Sequence, residues 1–146
     1  MALVNRDTPL GFQLPPVSNQ MSLEKWIRRE ELQQEANPGF HPSKNIHTDV
    51  EAAKKEGLEA PVAGGPFLAS HISRMMLSAF GEGWVKGGKL SVRFVRPVFP
   101  TDFITARAVV TEKKLENSRV RVVCEVWVEK AGGEKVVVGT ASGLVD

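Results

Sequence analysis

The segment that begins at Pro66 constrains the fold more than any other part of the sequence. Its apolar residues occupy nearly every face of a helix of roughly 14 residues, so such a helix has to be buried. Pro66 suits the first turn, because an amide there has no partner within the helix to lose. The apolar positions are Phe67, Leu68, Ile72, Met75, Met76, Ala79 and Phe80.

Four segments in the second half of the chain alternate apolar and polar residues with a period of two, which is typical of strands. They begin near Lys89, Ile104, Arg119 and Glu134, and the last ends near Val145. An antiparallel sheet with one apolar face needs a cover on that face, and the helix at 66–80 is the only segment large enough. The sequence therefore predicts an α+β fold, a single domain over residues 1–146 in which an antiparallel sheet wraps around a central buried helix.

The first half of the chain predicts an extended arm, two further helices and two loops. Residues 1–20 suit an arm or an edge strand, and an amphipathic helix runs from Ser22 to just before residue 37. The loop at 37–44 is expected to bring Phe40, His41 and Asn45 to one place. Thr48 and Glu51 match a capping box that would start a short helix at Thr48, leaving His47 just outside the first turn and facing a cavity.

Composition excludes several classes of function. Net charge is +2 and the basic residues are interleaved with acids, so we expect no nucleic-acid partner. No apolar run approaches the roughly 18 residues of a membrane span, and the N-terminus lacks a secretory signal, so we expect no membrane partner and a cytoplasmic location. Cys124 is the only cysteine and is predicted to be a packed core thiol. The three histidines form no convincing metal site, and we expect neither a metal nor a cofactor.

Three segments carry a resemblance to a known family. They are Asn-Ile-His-Thr-Asp-Val-Glu-Ala-Ala at 45–53, Val-Ala-Gly-Gly-Pro-Phe-Leu at 62–68 and Val-Arg-Phe-Val-Arg-Pro-Val-Phe-Pro-Thr-Asp at 92–102. In order and spacing they resemble the MaoC-like (R)-specific enoyl-CoA hydratase and dehydratase family, which implies a hotdog fold and a lyase acting on an acyl thioester. The resemblance covers about residues 20–145.

The resemblance implies a site and also departs from the family pattern. The catalytic histidine falls on His47, and the glycine whose amide meets the thioester oxygen falls on Gly65. The aspartate that works with the histidine falls on Pro42, which can neither give nor take a proton. Asn45 and Gly64 replace the usual proline and histidine of the motifs. The predicted substrate-binding residues are Phe40, His41, Asn45, Gly64, Pro66 and Phe67.

Alternatives stay open at several of these positions. His47 is either a catalytic base or a residue bonded to a backbone carbonyl, and His41 either replaces the missing acid or is an exposed loop residue. The acids nearest in sequence are Glu31, Glu35 and Asp49, and Asp49 is better explained as stabilising its helix start. His71, inside the central helix, is expected to bond to neighbouring backbone or to lie at a subunit contact.

Two functions follow from the resemblance. The first is a hydratase or dehydratase on an acyl-CoA or acyl-carrier thioester, acting without the usual aspartate. The alternative is a non-catalytic hotdog subunit that binds an acyl chain or a partner, or a single-base reaction such as an isomerisation. Unpaired sheet edges lead us to expect a homodimer or a higher homo-oligomer.

Overall fold

The computed structural model describes residues 2–40 and 44–146 and contains a five-stranded antiparallel sheet. Its strand order is β1-β3-β4-β5-β2, so β1 and β2 form the two edges of an open sheet. The strands are β1 Val17–Gln20, β2 Lys89–Phe94, β3 Phe103–Glu116, β4 Arg119–Lys130 and β5 Lys135–Val145. The four predicted strands are confirmed, and the N-terminal arm supplies the fifth by pairing with β3.

Four helices accompany the sheet in the described chain: α1 Leu23–Ala36, α2 Val50–Lys55, α3 Gly65–Phe80 and α4 Glu82–Gly87. The sequence analysis missed α4, whose Gly83 and Gly87 lie against Leu144 of β5. The glycines at 83, 87 and 88 lower the helix propensity of this segment, so the sequence does not predict the helix. Within the described residues, no helix is long and apolar enough to cross a membrane.

The central helix α3 packs on the apolar face of the sheet, as the sequence predicts. Alternate residues of β3 and β4 pair across this face, for example Ala106 with Val128 and Ala108 with Val126, and all four are buried. The helix is not buried on every side, however, because Arg74, Leu77 and Ser78 are exposed. Its buried residues are Leu68, His71, Ile72, Met75, Met76, Ala79 and Phe80.

At its C-terminal end, α3 makes a close contact with the sheet. The ring of Phe80, 2% exposed, sits over Gly143 of β5 so tightly that a Cβ atom built on that glycine would overlap the ring. A glycine in a strand interior is otherwise unfavourable, and it marks a place where another group must come close to the backbone. Gly143 therefore sets how near the helix can lie to the sheet.

We predict that Gly143→Ala destabilises the protein by about 1–3 kcal/mol, because the added methyl group overpacks the contact with Phe80. The matched control is Gly132→Ala in the β4–β5 turn, where an added Cβ would meet nothing within 4 Å. Urea unfolding of both variants measures the difference. Equal stability of the two would contradict the close contact.

Cys124 is fully buried in β4, and this burial raises the pKa of its thiol from the ordinary 9.0 to about 12. We predict that the native protein at pH 8 reacts with a thiol reagent only as it unfolds.

Between pH 9 and 12 the unfolded thiol ionises before the folded one, so the free energy of unfolding should fall as pH rises through this window. The measurement is unfolding across this range, and Cys124→Ala, which lacks the thiol, should show a smaller fall.

Candidate functional site

His47 lies in a turn that is tied by hydrogen bonds to the segment preceding α3. Its backbone amide donates to Asn45 Oδ1 at 2.9 Å, and its ring Nδ1 lies 2.8 Å from the carbonyl oxygen of Val62. The amide of Val62 donates back to the carbonyl oxygen of Ile46 at 3.0 Å. A carbonyl oxygen can only accept, so Nδ1 carries the hydrogen and Nε2 of the neutral ring keeps its lone pair.

The helix after His47 begins later than the sequence predicts. The N-cap is Asp49, whose carboxylate accepts from the amide of Ala52 at 2.8 Å, and α2 starts at Val50. The predicted capping box of Thr48 and Glu51 is therefore wrong. Asp49 outcompetes Thr48 because its charged side chain both caps the amide and meets the positive end of the helix. His47 consequently sits in a turn two residues before the cap.

The start of α3 is held by a backbone hydrogen bond and has no side-chain cap. The amide of Ala63 donates to the carbonyl oxygen of Val98 at 2.9 Å, and Gly64 is the N-cap without any side-chain bond. Pro66 lies within the first turn, as predicted. A Cβ atom built on Gly64 would lie 3.9 Å from Cε1 of His47, so the imidazole faces this helix start at van der Waals distance.

Most of the predicted site residues line one cavity of about 590 Å³. Its wall includes the predicted Phe40, Asn45, His47, Gly64, Pro66 and Phe67, together with Thr48 and Ser70. The predicted site residue His41 lies outside the described residues, and so does Pro42, which stands in place of the family's aspartate. The structure therefore brings together the two loops that the sequence identified, around the histidine.

Gly65 differs from the other predicted residues, because it lines a separate cavity of about 370 Å³ on the other side of the loop. There it faces Phe94, whose ring atoms would lie 3.0 Å from a Cβ built on Gly65. Arg96 and Val98 also line this second cavity. His47 and Gly65 are thus neighbours through Gly64 but open onto different spaces.

One face of α1 forms the remaining wall of the His47 cavity, which the sequence analysis did not foresee. This face consists of two pairs of residues four apart, Trp26 with Glu30 and Arg29 with Gln33. The guanidinium of Arg29 lies 4.2 Å from the centroid of the Phe67 ring, a cation–π contact at the cavity wall. The spacing was visible in the sequence, but nothing there indicated which element this face would meet.

His71 bonds to neighbouring backbone, which is one of the two interpretations that the sequence suggested. Its Nδ1 lies 2.9 Å from the carbonyl oxygen of Phe67, and Nδ2 of Asn19 lies 3.1 Å from its Nε2. Its ring also meets Phe67 edge to face at 5.0 Å between centroids. Both ring nitrogens are thereby occupied, Nδ1 within α3 and Nε2 in tying α3 to β1. His71 does not line the cavity. Among the described residues, no group of three metal-ligating side chains comes together.

Residues 43–132 match the family model described as the MaoC like domain. No protein of curated function matches the sequence significantly. Among solved structures, the chain is similar to the monoamine oxidase regulatory protein from Archaeoglobus fulgidus, with 26% identity over 99% of this chain and 97% of that one and a TM-score of 0.71.

Two further solved structures share the fold. The (R)-hydratase from A. caviae involved in PHA biosynthesis has 24% identity over 97% of this chain and 99% of that one, with a TM-score of 0.70. A (3R)-hydroxyacyl-ACP dehydratase complex from Mycobacterium tuberculosis has 20% identity over 94% and 98% of the two chains, with a TM-score of 0.65. These likenesses establish the hotdog fold that the sequence resemblance implies.

We predict that Asp49→Ala destabilises the protein by about 1 kcal/mol, since it removes the cap of α2. Thr48→Ala, next to it but without the cap bond, should change the free energy of unfolding by much less. Chemical denaturation of the two variants decides between the caps. A larger loss from Thr48→Ala would restore the capping box that the sequence suggested.

Proposed function

Because the chain belongs to the MaoC-like dehydratase family, we propose that it is a hydratase or dehydratase of acyl thioesters with His47 as its catalytic base. The observation that carries this proposal is the orientation of His47. Its Nδ1–H is held by the Val62 carbonyl at 2.8 Å, and the ring lines the cavity of about 590 Å³ at the start of α3. Nε2 is then the nitrogen available to exchange a proton with water or substrate.

The start of α3 supports the same chemistry. Hydration of an enoyl thioester places negative charge on the thioester oxygen, and a first-turn amide stabilises such charge together with the positive end of the helix dipole. Gly65 is the residue proposed to donate this amide, and Gly64 allows substrate to approach the backbone beside His47. Phe40, Asn45, Pro66 and Phe67 are proposed to line the acyl site. We propose no cofactor for this reaction, because proton transfers and a polarised thioester are sufficient.

The substrate class rests on chemistry that the relatives' descriptions name. One similar structure is an (R)-hydratase and another is a 3-hydroxyacyl-ACP dehydratase. For this chain we propose an enoyl or 3-hydroxyacyl thioester, carried on coenzyme A or on an acyl carrier protein. Arg29, at the wall of the cavity, and Arg96, beside Gly65, are the nearby cations that suit the phosphates of such a carrier.

We also propose that the protein acts as a single domain and forms a homodimer or a larger homo-oligomer. Within the described residues, β2 is an edge strand whose partner is β5. Leu90, Phe94 and Val95, in and just after this strand, are 37%, 51% and 46% exposed. An apolar, unpaired edge of this kind favours association with another chain. A cytoplasmic location remains a prediction from the sequence.

One observation favours a second candidate, a hotdog subunit that binds an acyl chain without chemistry or runs a single-base isomerisation. Gly65 opens onto the cavity with Phe94 and not onto the cavity of His47. If this separation persists with substrate bound, the two groups cannot act on one thioester. Such a protein would bind an acyl thioester yet leave its double bond unhydrated.

The deciding experiment is hydration of crotonyl-CoA, followed by the loss of the enoyl thioester absorbance. We predict that His47→Ala lowers kcat/KM by about 100-fold or more, the range expected for loss of a general base. Glu51→Ala on the exposed side of α2 is the control and should retain wild-type turnover. Turnover unchanged by His47→Ala would overturn the catalytic role, and binding without turnover by the wild type would favour the second candidate.

A further inference from the structure

We infer that Glu30 of α1 is a second catalytic residue, the carboxylate that exchanges a proton with the substrate's α-carbon while His47 serves the oxygen at the β-carbon. This inference rests on the proposed function. It follows from the side chains around the His47 cavity, because a hydration needs two proton-transfer groups. The sequence offered His41 beside His47 for this role, and His41 lies outside the described residues. None of the acids considered from the sequence fits this role as well as Glu30 does.

Glu30 is the one charged side chain of α1 that is not exposed. The others, at positions 24, 25, 28, 29, 31 and 35, are exposed to solvent. Glu30 follows Trp26 by four residues, so it lies on the same helix face as this tryptophan, which is 3% exposed and packs in the core. A glutamate placed on the inner face of a helix loses part of its hydration, a cost that a solvent-facing position would avoid.

The carboxylate of Glu30 is also without a structural task. Across residues 2–40 and 44–146, it makes no hydrogen bond and no ion pair. The neighbouring acids are engaged, since Glu31 and Glu35 both bind Arg28, at 3.3 and 3.0 Å. A half-buried carboxylate that stabilises nothing is better explained by a group that binds in the cavity.

The position of Glu30 relative to His47 fits this explanation. Glu30 lines the cavity of about 590 Å³ together with His47, and it also lines a neighbouring space of about 270 Å³. Thr48 is the other residue shared by both spaces. Glu30 and Thr48 thus form the partition between the two, and Thr48 directly follows His47. Glu30 and His47 therefore belong to the wall of one cavity, with Thr48 next to both spaces.

The two groups complete a balanced reaction. In dehydration of a 3-hydroxyacyl thioester, the Glu30 carboxylate removes the α-proton and the C–H electron pair becomes the second bond between the α- and β-carbons. The β-carbon–oxygen bond breaks, and the departing hydroxyl takes a proton from Nε2 of the His47 imidazolium to leave as water. Transfer of the proton from Glu30 to His47 restores both groups. Hydration runs through the same steps in reverse.

The test uses Glu30→Gln, which keeps the shape of the side chain and removes its basicity. We expect kcat for crotonyl-CoA hydration to fall about 100-fold or more, with little change in KM. Incorporation of deuterium at the α-carbon of 3-hydroxybutyryl-CoA in D₂O should fall in parallel. Glu30→Asp should recover part of both rates, because the carboxylate returns on a shorter side chain. The matched control is Glu31→Gln, next in sequence and 53% exposed, which should retain wild-type rates.

The outcomes separate this inference from the proposed function. Wild-type turnover that is abolished by His47→Ala but unaffected by Glu30→Gln would overturn the role of Glu30 alone. A wild-type protein that hydrates no enoyl-CoA from four to twelve carbons would overturn both. Thermal unfolding identifies a structural effect, since Glu30→Gln breaks no bond in the described chain and should leave the melting temperature near that of the wild type. The inference would also be overturned if Glu31→Gln lowered the rate as much as Glu30→Gln does.

Discussion

The packing of α3 against the sheet is the interaction on which the rest of the structure depends. Burying a large apolar side chain contributes about 1.5–3 kcal/mol, whereas a helix cap contributes about 1 kcal/mol. The helix buries several such side chains, so its position is set by packing and the surrounding loops adjust to it. The glycine at 143 lets Phe80 close on β5, which fixes the C-terminal end of the helix. The large buried side chains of α3 are Leu68, Ile72, Met75, Met76 and Phe80.

The opposite end of the same helix carries the site, and the backbone holds it there by pairing three loops. Ala63 donates to Val98, Val62 donates to Ile46, and the His47 ring donates back to Val62. Each bond satisfies a backbone group that would otherwise be costly to bury. The histidine is therefore positioned by the main chain that leads into α3. Its tautomer follows from the same contact, which explains how a residue outside any helix or strand can be held for chemistry.

Regular periodicity made the sheet and the central helix predictable, and the places where prediction failed lack such periodicity. The alternation through β3 and β4 and the apolar run of α3 each point to one arrangement, since only one element can cover the sheet. The glycine-rich α4 carries no comparable signal, because two glycines within it and one directly after it weaken helix propensity. At α2, Thr48 and Asp49 are both good caps, and the choice between them depends on the turn that holds His47.

The site was predictable in its loops and not in its helical wall. His47, Asn45 and the Gly64 turn belong to motifs whose order along the chain already suggests one place, and they do line one cavity. Glu30 and Arg29 belong to no motif, and their place at the cavity depends on how α1 lies beside the loops. The sequence alone shows α1 as an amphipathic helix with several charges of either sign, so it ranks Glu30 no higher than Glu31 or Glu35.

The contact of Arg29 with Phe67 explains how Glu30 can remain unpaired beside a cation. Adjacent residues on a helix do not face each other, and here the guanidinium carbon lies over the Phe67 ring, 4.2 Å from its centroid. A cation–π contact attracts the guanidinium to the ring of Phe67. Within the described residues, Arg29 contacts Phe67 and forms no ion pair with Glu30. One helix face thereby presents the cavity with a cation and a carboxylate that are not paired with each other, which is the arrangement that the proposed thioester carrier and proton transfer would use.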